Sequence, residues 1–137
     1  MTDTPVPDAL PHARPDAPVI ISCGEPAGIG PEVAARAWSL LAQDMPLVWI
    51  TDLAEAPGVC GAALPVLRHD FPRPATAGHP DPANAQGVID VIARAVALVR
   101  AGEACALTTG PIHKKALKDG AGFAYPGHTE YLAALAG

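Results

Sequence analysis

The residue best placed to do chemistry in this sequence is His128, within Pro126-Gly127-His128-Thr129-Glu130. Near neutral pH an imidazole can donate to, or accept from, a hydroxyl or a phosphate. Gly127 lets a ligand or a second backbone come close, and Thr129 adds a hydroxyl where a helix is expected to begin. A lone histidine is also a common structural residue, and residue chemistry alone leaves both readings open. A second group is Thr108-Thr109-Gly110-Pro111-Ile112-His113-Lys114-Lys115, at the C-terminal end of an expected strand. Ligands of open α/β sheets gather at that edge, and two hydroxyls, an imidazole and two ammoniums suit an anion. The alternative is that Thr109 or Gly110 caps a helix and the lysines are merely solvated, which for Lys114 and Lys115 is the favoured reading.

The third group is Cys23-Gly24-Glu25-Pro26-Ala27-Gly28-Ile29-Gly30-Pro31-Glu32. A glycine-rich turn from a strand into a helix attracts anions through backbone N–H groups. Yet Val33 stands where a dinucleotide fingerprint needs glycine, and no Gly-Lys-Ser/Thr follows for a phosphate loop. A tight strand-to-helix connection that needs glycine for a positive φ explains the same letters.

Other chemistries are excluded by spacing or charge. The five histidines include no pair at i, i+4 or His-x-His spacing, and no Ser-His-Asp set is apparent. The three cysteines show no Cys-x-x-Cys, and Cys23 and Cys105 lie in apolar runs that predict buried thiols. A net charge of −5 without a basic run argues against nucleic acid. No apolar stretch reads as a membrane span and the N-terminus does not read as a signal peptide, so a cytoplasmic chain is expected.

These groups need a scaffold. Half of the residues are hydrophobic and only 4% aromatic, which fits helices packed on a parallel sheet. A chain of 137 residues can build one core. Residues 1–17, with four prolines, predict a flexible tail, and residues 18–137 an α/β unit. Strands are expected at 18–23, 47–51, 64–68 and 104–108. A helix should follow Pro31 through Val33, Ala37, Leu40 and Leu41. Asp81-Pro82 should open another, striped by Val88, Ile92, Ala95 or Val96, and Val99, and closed by Gly102. Pro111–Lys118 predicts a short helix, and Thr129 an N-cap for the last one. The alternation implies parallel strands with right-handed crossovers.

Taken together, Gly24 to Glu32, Asp81-Pro82-Ala83-Asn84-Ala85-Gln86, Thr109 to Lys114, and Ala121-Gly122-Phe123 through Pro126 to Leu132 resemble the 4-hydroxythreonine-4-phosphate dehydrogenase family of pyridoxal phosphate biosynthesis. The resemblance runs from about Val19 to the last residue. It implies a three-layer, mostly parallel sheet with helices on both faces, like isocitrate and isopropylmalate dehydrogenases, in a two-domain homodimer. It implies oxidation of the 3-hydroxyl of 4-phosphohydroxy-L-threonine with NAD or NADP, then loss of carbon dioxide. His128 and Thr129 match the family's substrate-binding pair, and Glu25, Gly28 and Gly30 fall in a loop near the cofactor cleft. The family's divalent metal (zinc, magnesium or cobalt) is held by three histidines that lie beyond residue 137. The expectation is therefore an amino-terminal portion, incomplete as a sheet, with the second domain largely missing, inactive and prone to self-association when alone. Two rivals stand beside it: a dehydrogenase of a related four-carbon phosphorylated acid or diol acid, and a non-enzymatic binding remnant.

Overall fold

The computed structural model describes residues 16–42, 44–52 and 64–137. Most of the expected tail, at 1–15, and Cys60 lie outside the described residues. Ala17, at the end of that expected tail, is buried.

The elements are β1 (Val19–Ser22), α1 (Gly30–Leu41), β2 (Leu47–Thr51), β3 (Val66–Arg68), a 3-10 turn (Pro82–Asn84), α2 (Ala85–Arg100), β4 (Ala106–Thr109), α3 (Lys114–Ala121) and α4 (His128–Ala136). The four strands are parallel in the order β3-β2-β1-β4. The step from β1 to β2 runs toward one edge and the step from β3 to β4 toward the other. Right-handed crossovers then put α1 and α2 on opposite faces. Side chains alternate across a strand, and both Ile20 and Ile21 of β1 are buried, so each face of the central strand is covered.

α2 organises the interior because it has two apolar sides. Val91 and Ala95 join Trp49, Ile50 and the β1 side chains in one cluster on the sheet. Val88 and Ile92 face away and meet Leu117 of α3, Tyr131 of α4 and Phe123 from the segment between them. Full burial of one such side chain stabilises by about 1.5–3 kcal/mol. Phe123 and Tyr131 meet edge to face at 5.4 Å, and the Tyr131 hydroxyl donates to the Ile89 carbonyl at 3.3 Å. Through these contacts α3 and α4 are fixed to α2, and with them everything at their N-termini.

Several expectations need correction. The fourth strand begins at Ala106, two residues late, because the Glu103 and Ala104 amides bond back to Leu98 at the end of α2. β4 is an edge strand of this sheet, and Cys105 just before it is exposed, not buried. α3 begins at Lys114 rather than Pro111. The Pro111 carbonyl is held by the Glu25 amide at 2.8 Å, which keeps the residues before His113 out of the helix. On α1 the apolar stripe faces outward, with Val33 50% and Leu40 65% exposed, while Gly30 and Ala34 make the contact. Contrary to the expectation, one segment, Pro82–Arg100, is long and apolar enough to cross a membrane by length and composition. Its buried Ala85, Val88, Val91, Ile92 and Ala95 lie in the two core clusters, as expected of a core helix.

Burial and the negative charges of Asp52 and Glu25 push the Cys23 thiol up to about 12. A thiol reagent at pH 8 should therefore modify Cys105 in the native chain and reach Cys23 only on unfolding. Peptide mapping after a short maleimide pulse checks this, and equal labelling of the two would contradict it.

Candidate active site at the C-terminal ends of the strands

In an open parallel sheet the ligand crevice lies beyond the C-terminal ends of the strands, where the winding reverses direction. Here that point is between β1 and β4, and the loops that follow these two strands are the glycine-rich turn and the Thr109–His113 segment. They are stapled together. The Gly110 amide donates to the Ser22 carbonyl at 2.9 Å, and the Glu25 amide to the Pro111 carbonyl at 2.8 Å. Gly24 sits at φ +64°, and a Cβ there would fall 2.2 Å from the Pro111 oxygen. Only glycine satisfies both the backbone angle and the approach. Gly28 and Gly30 have no positive φ, but a Cβ on Gly30 would lie 2.5 Å from the Cys23 carbonyl oxygen.

Between the loops lies a hollow of about 380 Å³, lined by Glu25, Gly28, Ile29, Pro80, Ile112 and His113 among others. The buried Glu25 carboxylate accepts from the Ala27 amide at 3.0 Å, and the Gly28 amide donates to the Glu25 carbonyl at 3.0 Å. These amides are spent inside the loop, so it is not the open cradle of a phosphate loop. Gly30 faces a neighbouring groove between α1 and β4 instead.

His113 lines the hollow and also caps α3: its Nδ1 accepts from the Ala116 amide at 3.0 Å. Neither Thr109 nor Gly110 is the cap. Lys114, the first residue of α3, brings its Cε and Nζ to 3.7 and 3.8 Å from where a Cβ would sit on Gly127, and Glu130 places Oε2 3.7 Å from the same point. Gly127 is extended and is itself the N-cap of α4, with no side-chain capping bond. The helix thus begins at His128, and Thr129 lies exposed within its first turn rather than capping it.

The His128 ring is half-buried, and its Nε2 is inaccessible and without a hydrogen-bond partner among the described residues. Such an atom costs about 1–3 kcal/mol if left unpaired. Burial, and then the Lys114 charge, hold the His128 pKa below its ordinary 6.5. The folded chain thus binds this proton less readily than the unfolded one. The stability that the neutral ring contributes is complete above pH 6.5 and is lost as pH falls through the lower folded value. Histidine ring shifts followed by NMR should show His128 titrating below 6.5. A midpoint at or above 6.5 would contradict the burial described here.

The structure therefore brings Glu25 and Gly28 together on one hollow and His128 and Thr129 together beside it. The two pairs are joined through His113 and Lys114 at the start of α3. The sequence reading placed both connecting residues in its anion-suited group but favoured mere solvation for Lys114. A signal for Lys114 was present: Lys115 has Asp119 four residues on and pairs with it, whereas Lys114 has Lys118 at that spacing.

An open parallel sheet wound in both directions, with two stapled glycine loops at its reversal point, is the arrangement of an α/β fold that binds its ligands beyond the strand ends. The chain belongs to the pyridoxal phosphate biosynthetic protein PdxA family, whose pattern it matches over residues 23–137. A 4-hydroxythreonine-4-phosphate dehydrogenase of Roseobacter denitrificans is 59% identical over 136 residues, covering 88% of this chain and 42% of that protein. One from Ruegeria is 54% identical, with 87% and 41% covered. The crystal structure of the Klebsiella pneumoniae 4-hydroxythreonine-4-phosphate dehydrogenase superposes with a TM-score of 0.71 at 25% identity, over 87% of this chain and 44% of that one. The chain thus spans under half the length of the relatives that it matches.

Proposed function

We propose that this chain forms one wall of the active site of an NAD(P)-dependent dehydrogenase that oxidises 4-phosphohydroxy-L-threonine to 2-amino-3-oxo-4-phosphooxybutanoate, on the way to pyridoxal phosphate. The observation that carries the reading is His128: a half-buried imidazole near the Lys114 cation, where α3 and α4 begin at the ligand-binding end of the sheet. Its place in the family's substrate-binding pair supports the same role. In that role His128 hydrogen-bonds the substrate and Thr129 offers its hydroxyl beside it, so that the 3-hydroxyl is held in a fixed orientation. NAD or NADP, when bound, would supply the acceptor for the hydride leaving C3. Glu25, Gly28 and Gly30 serve that group by shape: two line the hollow, and the third lets α1 close against β1.

Among the described residues no three His, Cys, Asp or Glu side chains converge on a point. These residues do not fit the divalent metal that the resemblance implies, and no step is drawn through it. We place the assembled enzyme in the cytoplasm as a homodimer, following the resemblance. The test is a chimera in which this chain replaces the matching amino-terminal part of the Roseobacter denitrificans relative. It should form NAD(P)H from 4-phosphohydroxy-L-threonine with a divalent metal, and the 137-residue chain alone should give none. A folded chimera active only on a phosphothreonate or a diol acid would move the substrate assignment. One inactive on all of these would overturn the reading.

A further inference from the structure

Glu25 and His113 line one hollow from different loops, and each has a polar atom left over. Glu25 is only 7% exposed. Its Oε1 accepts from the Ala27 amide at 3.0 Å, while Oε2 takes part in no hydrogen bond or ion pair among the described residues. A carboxylate so far removed from water calls for more than one donor. It is not sealed in the core, however. It lines the hollow of about 380 Å³ whose other walls include Ile29, Pro80, Pro111 and Ile112. On the His113 side, Nδ1 accepts from the Ala116 amide. A backbone N–H can only donate, so Nδ1 carries no proton there and the ring hydrogen sits on Nε2. The cap of α3 thereby fixes the tautomer. The hollow thus offers apolar walls, one spare acceptor and one spare donor.

We propose that this hollow seats the nicotinamide ring of the cofactor, with its carboxamide held by Glu25 and His113. The proposal rests on the reading of the chain as part of an NAD(P)-dependent dehydrogenase. A primary carboxamide presents N–H donors and a carbonyl acceptor side by side. Its N–H groups match Glu25 Oε2, its oxygen matches the His113 Nε2–H, and the ring faces suit the apolar walls. Ligand sites run from about 300 to 1,000 Å³, so a hollow of about 380 Å³ takes one end of a dinucleotide and not the whole. A phosphate would meet a carboxylate there and be repelled. Adenine also sets an amino donor beside a ring acceptor. Nicotinamide is favoured because His113 leads directly into Lys114, which approaches the His128 site, and hydride transfer needs ring and alcohol close together.

The isotopically labelled 137-residue chain can be titrated by NMR with three probes. These are nicotinamide mononucleotide, its 3-acetylpyridine analogue (which keeps the carbonyl and lacks the N–H groups) and adenosine monophosphate. Nicotinamide mononucleotide should shift the Glu25, Gly28, Ile112 and His113 amides. Glu25→Gln can keep the bond to Ala27 but sets a donor where Oε2 stood, and His113→Asn can still cap α3 but is too short to reach the ligand. Each should weaken this probe about three- to tenfold, with helix content by circular dichroism unchanged. The acetylpyridine analogue should be indifferent to Glu25→Gln and still weakened by His113→Asn. Wild-type affinity in His113→Asn would show that the ring is only a cap and would overturn the proposal. Shifts of these amides by adenosine monophosphate in place of nicotinamide mononucleotide would overturn it too, assigning the hollow to adenine. Silence with nicotinamide mononucleotide would do the same. NAD(P)H formation by the Roseobacter denitrificans chimera then decides separately whether the dehydrogenase reading stands.

Discussion

His128→Ala is expected to raise KM for 4-phosphohydroxy-L-threonine by one to two powers of ten in the chimeric enzyme, with the fold retained. A hydrogen bond to a charged group contributes about 1.5–3 kcal/mol, and each 1.4 kcal/mol is tenfold in affinity. The fold should survive because the ring bonds to no described residue through Nε2 and stands outside both core clusters. Loss of the ring even removes an unpaired buried nitrogen, so the thermal midpoint should hold or rise slightly. His128→Asn, which keeps a donor and an acceptor, should recover part of the affinity. Steady-state kinetics with a melting curve on each variant decides it. An unchanged KM together with a lowered midpoint would show that the ring is structural.

Gly24→Ala should be far more damaging than its small size suggests. The new methyl group meets the Pro111 oxygen at 2.2 Å and the Gly110 carbonyl carbon at 2.7 Å, both backbone atoms, on a residue already at φ +64°. Neither neighbour can yield without breaking the Glu25–Pro111 and Gly110–Ser22 bonds that staple the two loops. A cost of about 3 kcal/mol or more follows from overpacking and left-handed strain together, or roughly 10 °C in melting temperature for a chain of this size. Gly122→Ala is the internal control. It has nearly the same φ, +63°, and nothing within 4 Å of its Cβ position, so only the conformational cost of about 1–2 kcal/mol applies. Denaturant titration of both variants separates clash from strain. Equal destabilisation would mean that the stapled contact adds nothing.

Much of this architecture was legible in the residues themselves. β1, β2 and the core of α2 announce themselves because apolar periodicity and burial coincide: Val88, Ile92 and Ala95 are buried as the stripe predicts. Asp81 also behaves as the sequence suggests, accepting from the Ala83 amide at the entry to the turn before α2. The errors fall where a long-range bond decides a local boundary. Nothing near Pro111 in sequence reveals that the Glu25 amide, more than eighty residues earlier, holds its carbonyl and delays α3. The α1 stripe misled for a related reason, since Gly30 and Ala34 pack closest to the sheet precisely where their side chains are small. At the site, His128 could be singled out from its neighbours in the chain. For Lys114 the chain offers only the hint of Lys118 four residues on, because its approach to Gly127 comes from a different helix.

The proposed site holds the substrate where the winding of the sheet reverses, beside His128. It is tested most directly by mapping 4-phosphohydroxy-L-threonine onto the isotopically labelled chain through its amide shifts. The perturbed amides should form one patch made of Gly127–Thr129 and Ile112–Lys114, with Glu25–Gly28 at its margin. Shifts confined to the outer face of α1 or to the β3 edge, with residues 112–114 and 127–129 silent, would contradict it.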